Sequence, residues 1–122
     1  MNLDNPIIKL CIAGTQAEFD GNLEAACKLY WQAWEAARDD YEACIAAHYV
    51  ARCQESPTES LHWNQVALER ANVVNDDSVR DFYPSLYLNI GRSYELLGDQ
   101  NKAEKYYSQA ADLGVAHQLD KE

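Results

Sequence analysis

Cys44 and His48 are the residues whose types and spacing come closest to a chemical site. Residues four positions apart share one face of a helix, where a thiolate and an imidazole can bind the same metal ion. A structural zinc site needs further ligands, and no second pair with this spacing accompanies these two residues. Both fall on the predicted packing face, so we expect them to fill the core and expect no metal site.

Other potential catalytic groups are scattered along the chain. His62 and His117 stand alone, and no nucleophile elbow, catalytic triad or phosphate-binding glycine loop is present in the sequence. The four cysteines form no C-x-x-C pair, which favours free thiols in a reducing compartment, with surface reactivity as the alternative. The sequence therefore predicts a binding protein without a cofactor rather than an enzyme.

The element that must position any site is a helical hairpin over residues 87–110. Its helical pattern stops at Gly98 and starts again after Asp99. On a 3.6-residue period, two apolar faces meet, and they consist of Tyr87, Ile90, Gly91 and Tyr94 on the first helix and Ala103, Tyr107 and Ala110 on the second. Because Gly91 and Ala103 are small, the two helix axes should approach closely at that level.

The same pattern occurs twice upstream. A shift of 77 positions, from Tyr87 to Leu10, gives matching residues at Leu10, Ala13, Gly14, Ala17, Gly21, Ala26, Tyr30 and Ala33. A weaker middle copy, displaced by 34 positions from the first, has Cys44, Ala47, His48, Ala51, Glu55, Ser60, Asn64 and Ala67. The chain therefore contains three copies of one helical hairpin.

This 34-residue register resembles that of tetratricopeptide repeat (TPR) proteins. The resemblance assigns structural repeat positions to Gly14, Gly21, Ala26, Tyr30, Gly91, Tyr94, Gly98, Ala103 and Tyr107. Departures from the family pattern are His48, Glu55 and Asn64 in the middle copy, and Arg38 and Val115 where the family often has proline. The resemblance implies an all-α fold, in which three antiparallel helix hairpins stack as a TPR-type right-handed α-solenoid.

We expect a single domain over residues 1–122, with hairpins at approximately 5–38, 40–74 and 84–113. An insertion around residues 72–83 should form the end of a long fourth helix and an ordered loop. Helix starts are indicated by Asn5-Pro6, Asn22, Asp39-Asp40, the Ser56-Pro57-Thr58-Glu59 capping box, Pro84 and Asp99. Of the two tryptophans on the second helix, only Trp34 is expected to lie squarely on the packing face.

In TPR proteins the first helices of the hairpins line a concave groove that holds a peptide. The resemblance therefore implies a peptide-binding groove, which is expected to include Tyr49, Arg52, Leu88, Asn89, Arg92 and Glu95. The lysine and asparagine set with which some family members bind chaperone tails is missing here. Arg52 and Arg92 could receive a carboxylate or could simply be solvated, and Tyr49 could instead cover the helix junction.

The composition narrows the choice of partners. With 20 acidic and 10 basic side chains the formal net charge is −10, which disfavours nucleic acid and anionic membranes and favours a neutral or basic partner. The start of the chain matches neither a signal peptide nor a membrane span, so we expect a cytoplasmic protein. The predicted function is a protein interaction module or small adaptor. The alternative is a structural module that forms a homodimer through uncovered ends of the repeat stack.

Overall fold

The computed structural model describes the backbone of residues 3–119 and the side chains of residues 3–113. Over this range the chain forms seven α-helices and no β-strand, and no helix in it is long and apolar enough to span a bilayer. The helices are α1 (Pro6–Phe19), α2 (Leu23–Ala36), α3 (Asp40–Val50), α4 (Pro57–Val74), α5 (Asp77–Arg80), α6 (Tyr83–Leu96) and α7 (Gln100–Leu119). The expected all-α class is confirmed.

The first hairpin begins and turns as its sequence predicts. The Asn5 side chain accepts hydrogen bonds from the backbone N–H groups of Ile7 and Ile8, at 2.8 and 3.2 Å. At the turn, Gly21 has a φ of 82°, a left-handed conformation that glycine adopts without steric cost. The Asn22 side chain then caps α2 by accepting from the N–H of Ala25. Local capping chemistry therefore fixes the ends of both helices.

The start of α4 is also set by a cap. The Ser56 hydroxyl oxygen accepts a hydrogen bond from the Glu59 N–H at 3.1 Å, and the Glu59 carboxylate lies 3.2 Å from that hydroxyl. In a complete capping box the glutamate would accept from the backbone N–H of the capping residue instead. The predicted helix start is therefore confirmed, with a different second hydrogen bond.

The helix that precedes this cap is shorter than predicted. The sequence pattern carries it to about Gln54, but α3 ends at Val50 and a 3₁₀ turn covers Ala51–Cys53. Two side chains satisfy carbonyl groups at this point. The Gln54 amide donates to the Val50 carbonyl, and the Ser60 hydroxyl donates to the carbonyl of Ala51. These bonds stabilise the early end of the helix.

The insertion at residues 72–83 is more ordered than a loop. After α4 ends at Val74, Asn75 adopts a left-handed conformation with a φ of 48°, and the short helix α5 follows. Val79 is fully buried, and Phe82 packs against the same cluster, which contains Leu86. The insertion is ordered because its apolar side chains complete the core between the second and third hairpins.

The end of the third hairpin also differs from the prediction. The sequence pattern ends the last helix near residue 113, whereas α7 continues to Leu119. The side chains that follow Leu113 lie outside the described residues. The side chain of Val115, where the family often has proline, lies outside them as well.

The helices pack in pairs along the chain. α1 packs on α2, α3 on α4 and α6 on α7, while α2–α3 and α4–α6 contacts join successive pairs. Trp31 and Trp34 both contact Trp63 between the first and second hairpins, with ring centroids 5.2 and 5.0 Å away. The expectation that only Trp34 faces the next hairpin is therefore wrong. Of the two helices of the middle hairpin, α6 packs on α4 and approaches α3 little, so a space remains between α3 and α6.

Candidate binding cleft

The first hairpin has a filled helix junction. A Cβ atom added to Gly14 would lie 2.3 Å from a ring carbon of Tyr30, so the tyrosine ring occupies the space that glycine leaves. Tyr30 is fully buried, and its hydroxyl donates a 2.6 Å hydrogen bond to Glu18. Gly14 and Tyr30 therefore close this junction, and Glu18 accepts the hydrogen bond of the buried Tyr30 hydroxyl.

The third hairpin repeats this arrangement 77 positions later. A Cβ atom on Gly91 would lie 2.7 Å from the Tyr107 ring and 3.3 Å from the Ala103 carbonyl oxygen. The Tyr107 hydroxyl donates to Glu95 at 2.5 Å. The predicted close approach at Gly91 and Ala103 is thus present in the structure.

The middle hairpin carries different residues at all three positions. His48 replaces the glycine, Asn64 replaces the tyrosine and Arg52 replaces the glutamate. Asn64 is only 3% exposed, and no described residue donates a hydrogen bond to its Oδ1 atom. A short amide fills less space than a phenol ring, so this junction stays open and holds a buried acceptor without a donor.

The open junction is part of a cavity of about 420 Å³ between the middle and third hairpins. We call it the α3–α6 cleft. The polar side chains that line it and that carry the argument below are His48, Arg52, Asn64, Asn89, Arg92 and Ser93. They come from α3, the 3₁₀ turn, α4 and α6, so the cleft depends on how the two hairpins pack.

Arg52 already has a carboxylate partner. Its Nε and Nη2 atoms donate to the two oxygens of Glu18, at 2.9 and 2.8 Å. This paired hydrogen bond is the main cause of the lowered pKa of Glu18 and of the raised pKa of Arg52. The TPR resemblance implies a groove position for Arg52, where it receives a carboxylate or is solvated. In the structure its side chain joins the first hairpin to the second. The pairing holds its guanidinium at the wall of the cleft.

Arg92 is exposed on α6. Within the described residues, no carboxylate oxygen lies within 4 Å of its guanidinium group, whereas Arg52, Arg70 and Arg80 each have such a partner. Arg92 therefore contributes a positive charge to the cleft that the described part of the protein does not pair.

His48 and Asn89 face each other across the cleft. The Asn89 Nδ2 and His48 Nδ1 atoms are 3.5 Å apart, so the amide can donate to an unprotonated ring nitrogen. Burial, with a smaller contribution from the charge of Arg52, lowers the pKa of His48. Both causes favour the neutral imidazole, which is the form that accepts this hydrogen bond.

Three of the six predicted groove residues lie in the cleft, namely Arg52, Asn89 and Arg92. Tyr49 instead packs beside Tyr30, with ring centroids 5.2 Å apart, and lines a separate cavity of about 190 Å³. Its position corresponds to the alternative in which it covers a helix junction.

The other two predicted groove residues, Leu88 and Glu95, do not line either cavity. His48 and Asn64 also line the cleft, although the sequence pattern marks them only as departures from the repeat. They belong to the junction between helices, whereas the predicted groove comprises only one face of each first helix.

Among the described residues, Cys44 and His48 have no third potential metal ligand beside them. Burial raises the pKa of the Cys44 thiol to about 12, so the thiolate that a metal requires is disfavoured. In the part of the chain that the structure describes, no group of three potential metal-ligating residues comes together.

Comparison of the chain with protein-family models, curated proteins and solved structures finds no match. The resemblance to TPR proteins therefore rests on the residues and on their 34-residue register.

Proposed function

We propose that this protein is a TPR-type interaction module that binds a peptide segment of a partner protein in the α3–α6 cleft. The observation that carries the proposal is the open junction of the middle hairpin. The outer hairpins close the same junction with Tyr30 and Tyr107, whereas Asn64 leaves it open beside the third hairpin. Because the outer two hairpins fill this junction with a side chain and the middle hairpin does not, the middle junction offers a defined place for a ligand group.

The chemistry of the cleft suits a peptide. Its volume of about 420 Å³ falls within the range of roughly 300–1,000 Å³ that is usual for ligand pockets. Carboxamide groups such as those of Asn64 and Asn89 can both donate to and accept from a peptide backbone. Arg92 adds a guanidinium group that can bind a carboxylate or a backbone carbonyl.

The packing order supports the repeat interpretation. Each helix pair contacts the next one along the chain, as expected for a stack of hairpins. We propose that these contacts form the right-handed solenoid that the TPR resemblance implies, within a single domain. No catalytic role is part of the proposal, and the net charge of −10 favours a neutral or basic partner in the cytoplasm.

The proposal can be tested before the partner is identified. A display library of random peptides is selected on the wild-type protein, and the selected peptides are measured by calorimetry against wild type, Arg92→Ala and Arg80→Ala. Arg80 is an exposed arginine outside the cleft and pairs with Asp77, so it is a matched control. The expected result is binding that Arg92→Ala weakens and Arg80→Ala leaves unchanged. Equal affinities for all three proteins would place the site elsewhere.

A second function is favoured by apolar side chains at the hairpin ends. Phe19 is 87% exposed and Leu96 is 67% exposed, and the two occupy matching positions 77 residues apart. Surfaces of this kind can be covered in a homodimer. Light scattering during gel filtration distinguishes the two proposals, because a concentration-independent monomer favours the peptide-binding module and a tight dimer favours self-association.

A further inference from the structure

We infer that the α3–α6 cleft recognises a carboxylate with an N–H donor next to it, supplied by an aspartate or glutamate within the bound peptide. The inference rests on the proposed function and specifies the ligand of the same site. Among the three hairpin junctions, the middle one has a hydrogen-bond donor where the outer two have an acceptor.

In the outer hairpins a phenol donates to a carboxylate. Tyr30 donates to Glu18 and Tyr107 donates to Glu95. In the middle hairpin the glutamate position holds Arg52, which only donates. The atom of a bound group that faces Arg52 must therefore be an acceptor.

Arg52 has donors to spare for such a group. A guanidinium group carries five N–H donors, and the Glu18 carboxylate uses the one on Nε and one of the two on Nη2. The pairing also fixes the orientation of the guanidinium, so less side-chain entropy is lost when a second acceptor binds. Arg52 is thus a positioned donor whose charge is already balanced by Glu18.

Arg92 supplies the charge that a carboxylate requires. It lines the same cleft from the opposite hairpin and has no carboxylate partner among the described residues. Guanidinium and carboxylate groups bind through two parallel hydrogen bonds that are stronger than neutral ones. A carboxylate between Arg92 and Arg52 would therefore contact the third and the second hairpin together.

Asn64 explains why a donor must accompany the carboxylate. Its buried Oδ1 atom lacks a hydrogen bond within the described residues, and an unsatisfied buried acceptor is unfavourable. The backbone N–H of an acidic residue lies a few bonds from its carboxylate, so one residue can supply both groups. A simple anion such as acetate would satisfy the arginines and leave Asn64 without a partner.

The acidic character of the protein limits which residues can flank the acidic residue in the bound peptide. Glu18, which is paired with Arg52, and Glu55 also line the cleft, and the whole chain has a net charge of −10. At physiological ionic strength, repulsion between exposed charges is largely screened beyond about 8 Å. Repulsion between charges that lie closer together within the cleft is screened much less. The structure therefore favours one acidic residue in an otherwise neutral or basic peptide.

The test uses small probes and the full ¹⁵N-labelled chain. The probe is N-acetyl-glutamate N-methylamide, and N-acetyl-glutamine N-methylamide is the uncharged match. Two-dimensional NMR should show saturable shifts at the Arg92 Nε–H and the Asn64 side-chain amide with the first probe. We expect at least tenfold weaker binding of the glutamine probe, and at least tenfold weaker binding of the glutamate probe to Arg92→Gln.

Two further variants complete the design. Arg80→Gln should bind the glutamate probe like wild type, and Asn64→Leu should bind it several-fold more weakly while keeping the helical spectrum. Equal binding of the two probes, or shifts confined to residues outside the cleft, would overturn the inference. N-acetylglycine tests a chain terminus as the source of the carboxylate, and tighter binding of that compound would overturn the assignment to an acidic side chain. The affinities of peptides selected from the display library do not depend on these results. The proposed function is therefore tested separately.

Discussion

Gly91 and Tyr107 are in contact at a distance that excludes any side chain at position 91. A Cβ atom there would lie 2.7 Å from one ring carbon of Tyr107 and 2.8 Å from another. Such separations essentially never occur for real Cβ atoms, and the Ala103 carbonyl oxygen, 3.3 Å from the same point, limits the room for relaxation. The third hairpin is therefore closed by one glycine and one aromatic ring.

Replacing this glycine should destabilise the protein. We expect Gly91→Leu to lower the free energy of unfolding by about 1–3 kcal/mol or more, because overpacking displaces the Tyr107 ring. Urea denaturation followed by circular dichroism measures the change. Ser108→Leu, at an exposed position of α7, is the control for an added leucine. An unchanged midpoint for Gly91→Leu would show that the close contact does not exist.

Glu42 should make the stability of the protein depend on pH. Its buried carboxylate accepts from the backbone N–H and the guanidinium group of Arg38 and from the Asn5 amide. These interactions, chiefly those with the Arg38 side chain, lower the pKa of Glu42 from 4.5 to about 2. A depressed pKa in the folded state means that the carboxylate stabilises the fold above pH 4.5, and this stabilisation is lost as pH falls towards 2.

The measurement compares wild type with Glu42→Gln across that pH range. At neutral pH we expect the variant to be less stable by about 1–3 kcal/mol, the usual effect of disrupting hydrogen bonds to a buried charged group. The difference should shrink as the pH falls from 4.5 to about 2. Glu24→Gln, at an exposed carboxylate, should show little difference at any pH. A difference between wild type and Glu42→Gln that is independent of pH would contradict the account.

The middle hairpin can be converted to the outer pattern. Asn64→Tyr alone should destabilise the protein by about 1–3 kcal/mol, since His48 occupies the position of the glycine against which the ring would pack. In combination with His48→Gly, the ring can lie as Tyr30 lies against Gly14. We therefore expect a favourable interaction energy of about 0.5–3 kcal/mol between the two substitutions. Unfolding curves of the four proteins give this value, and simple additivity would mean that the junctions are not equivalent.

Much of this fold could be predicted from the sequence because local signals set it. Asn5, Gly21, Ser56 and Asp99 act within a few residues of themselves, and the structure confirms their roles at helix ends and turns. The cleft was only partly predictable. The pairing of Arg52 with Glu18 spans one 34-residue repeat of sequence but depends on how two hairpins pack.

The missed elements have a similar cause. The helix α5 is only four residues long and is held by Val79 in the core, so tertiary packing rather than helix propensity explains it. The sequence does not single out Glu42, because a buried glutamate can be recognised only when its partners Arg38 and Asn5 are located. The periodicity of the sequence identifies which face of each helix is apolar. It does not show which residues of two packed helices touch each other.

Metal removal should have no effect on the fold. Cys44 is buried and its thiol is held protonated, so the structure gives it a packing role. We expect an excess of chelator to leave both the melting temperature and the helical circular dichroism spectrum unchanged. Unfolding on addition of the chelator would show that a bound metal contributes to folding.

Titration calorimetry with a library-selected peptide measures whether the α3–α6 cleft is the peptide-binding site. The proteins are wild type, Arg92→Ala, the cleft-filling pair His48→Gly with Asn64→Tyr, and Arg80→Ala as the control. We predict that Arg92→Ala weakens binding by about 1–2 kcal/mol, that the filled cleft binds at least as weakly, and that the control binds like wild type. Wild-type affinity in both cleft variants, together with loss of binding in Trp31→Ala at the α2–α4 contact, would contradict the claim.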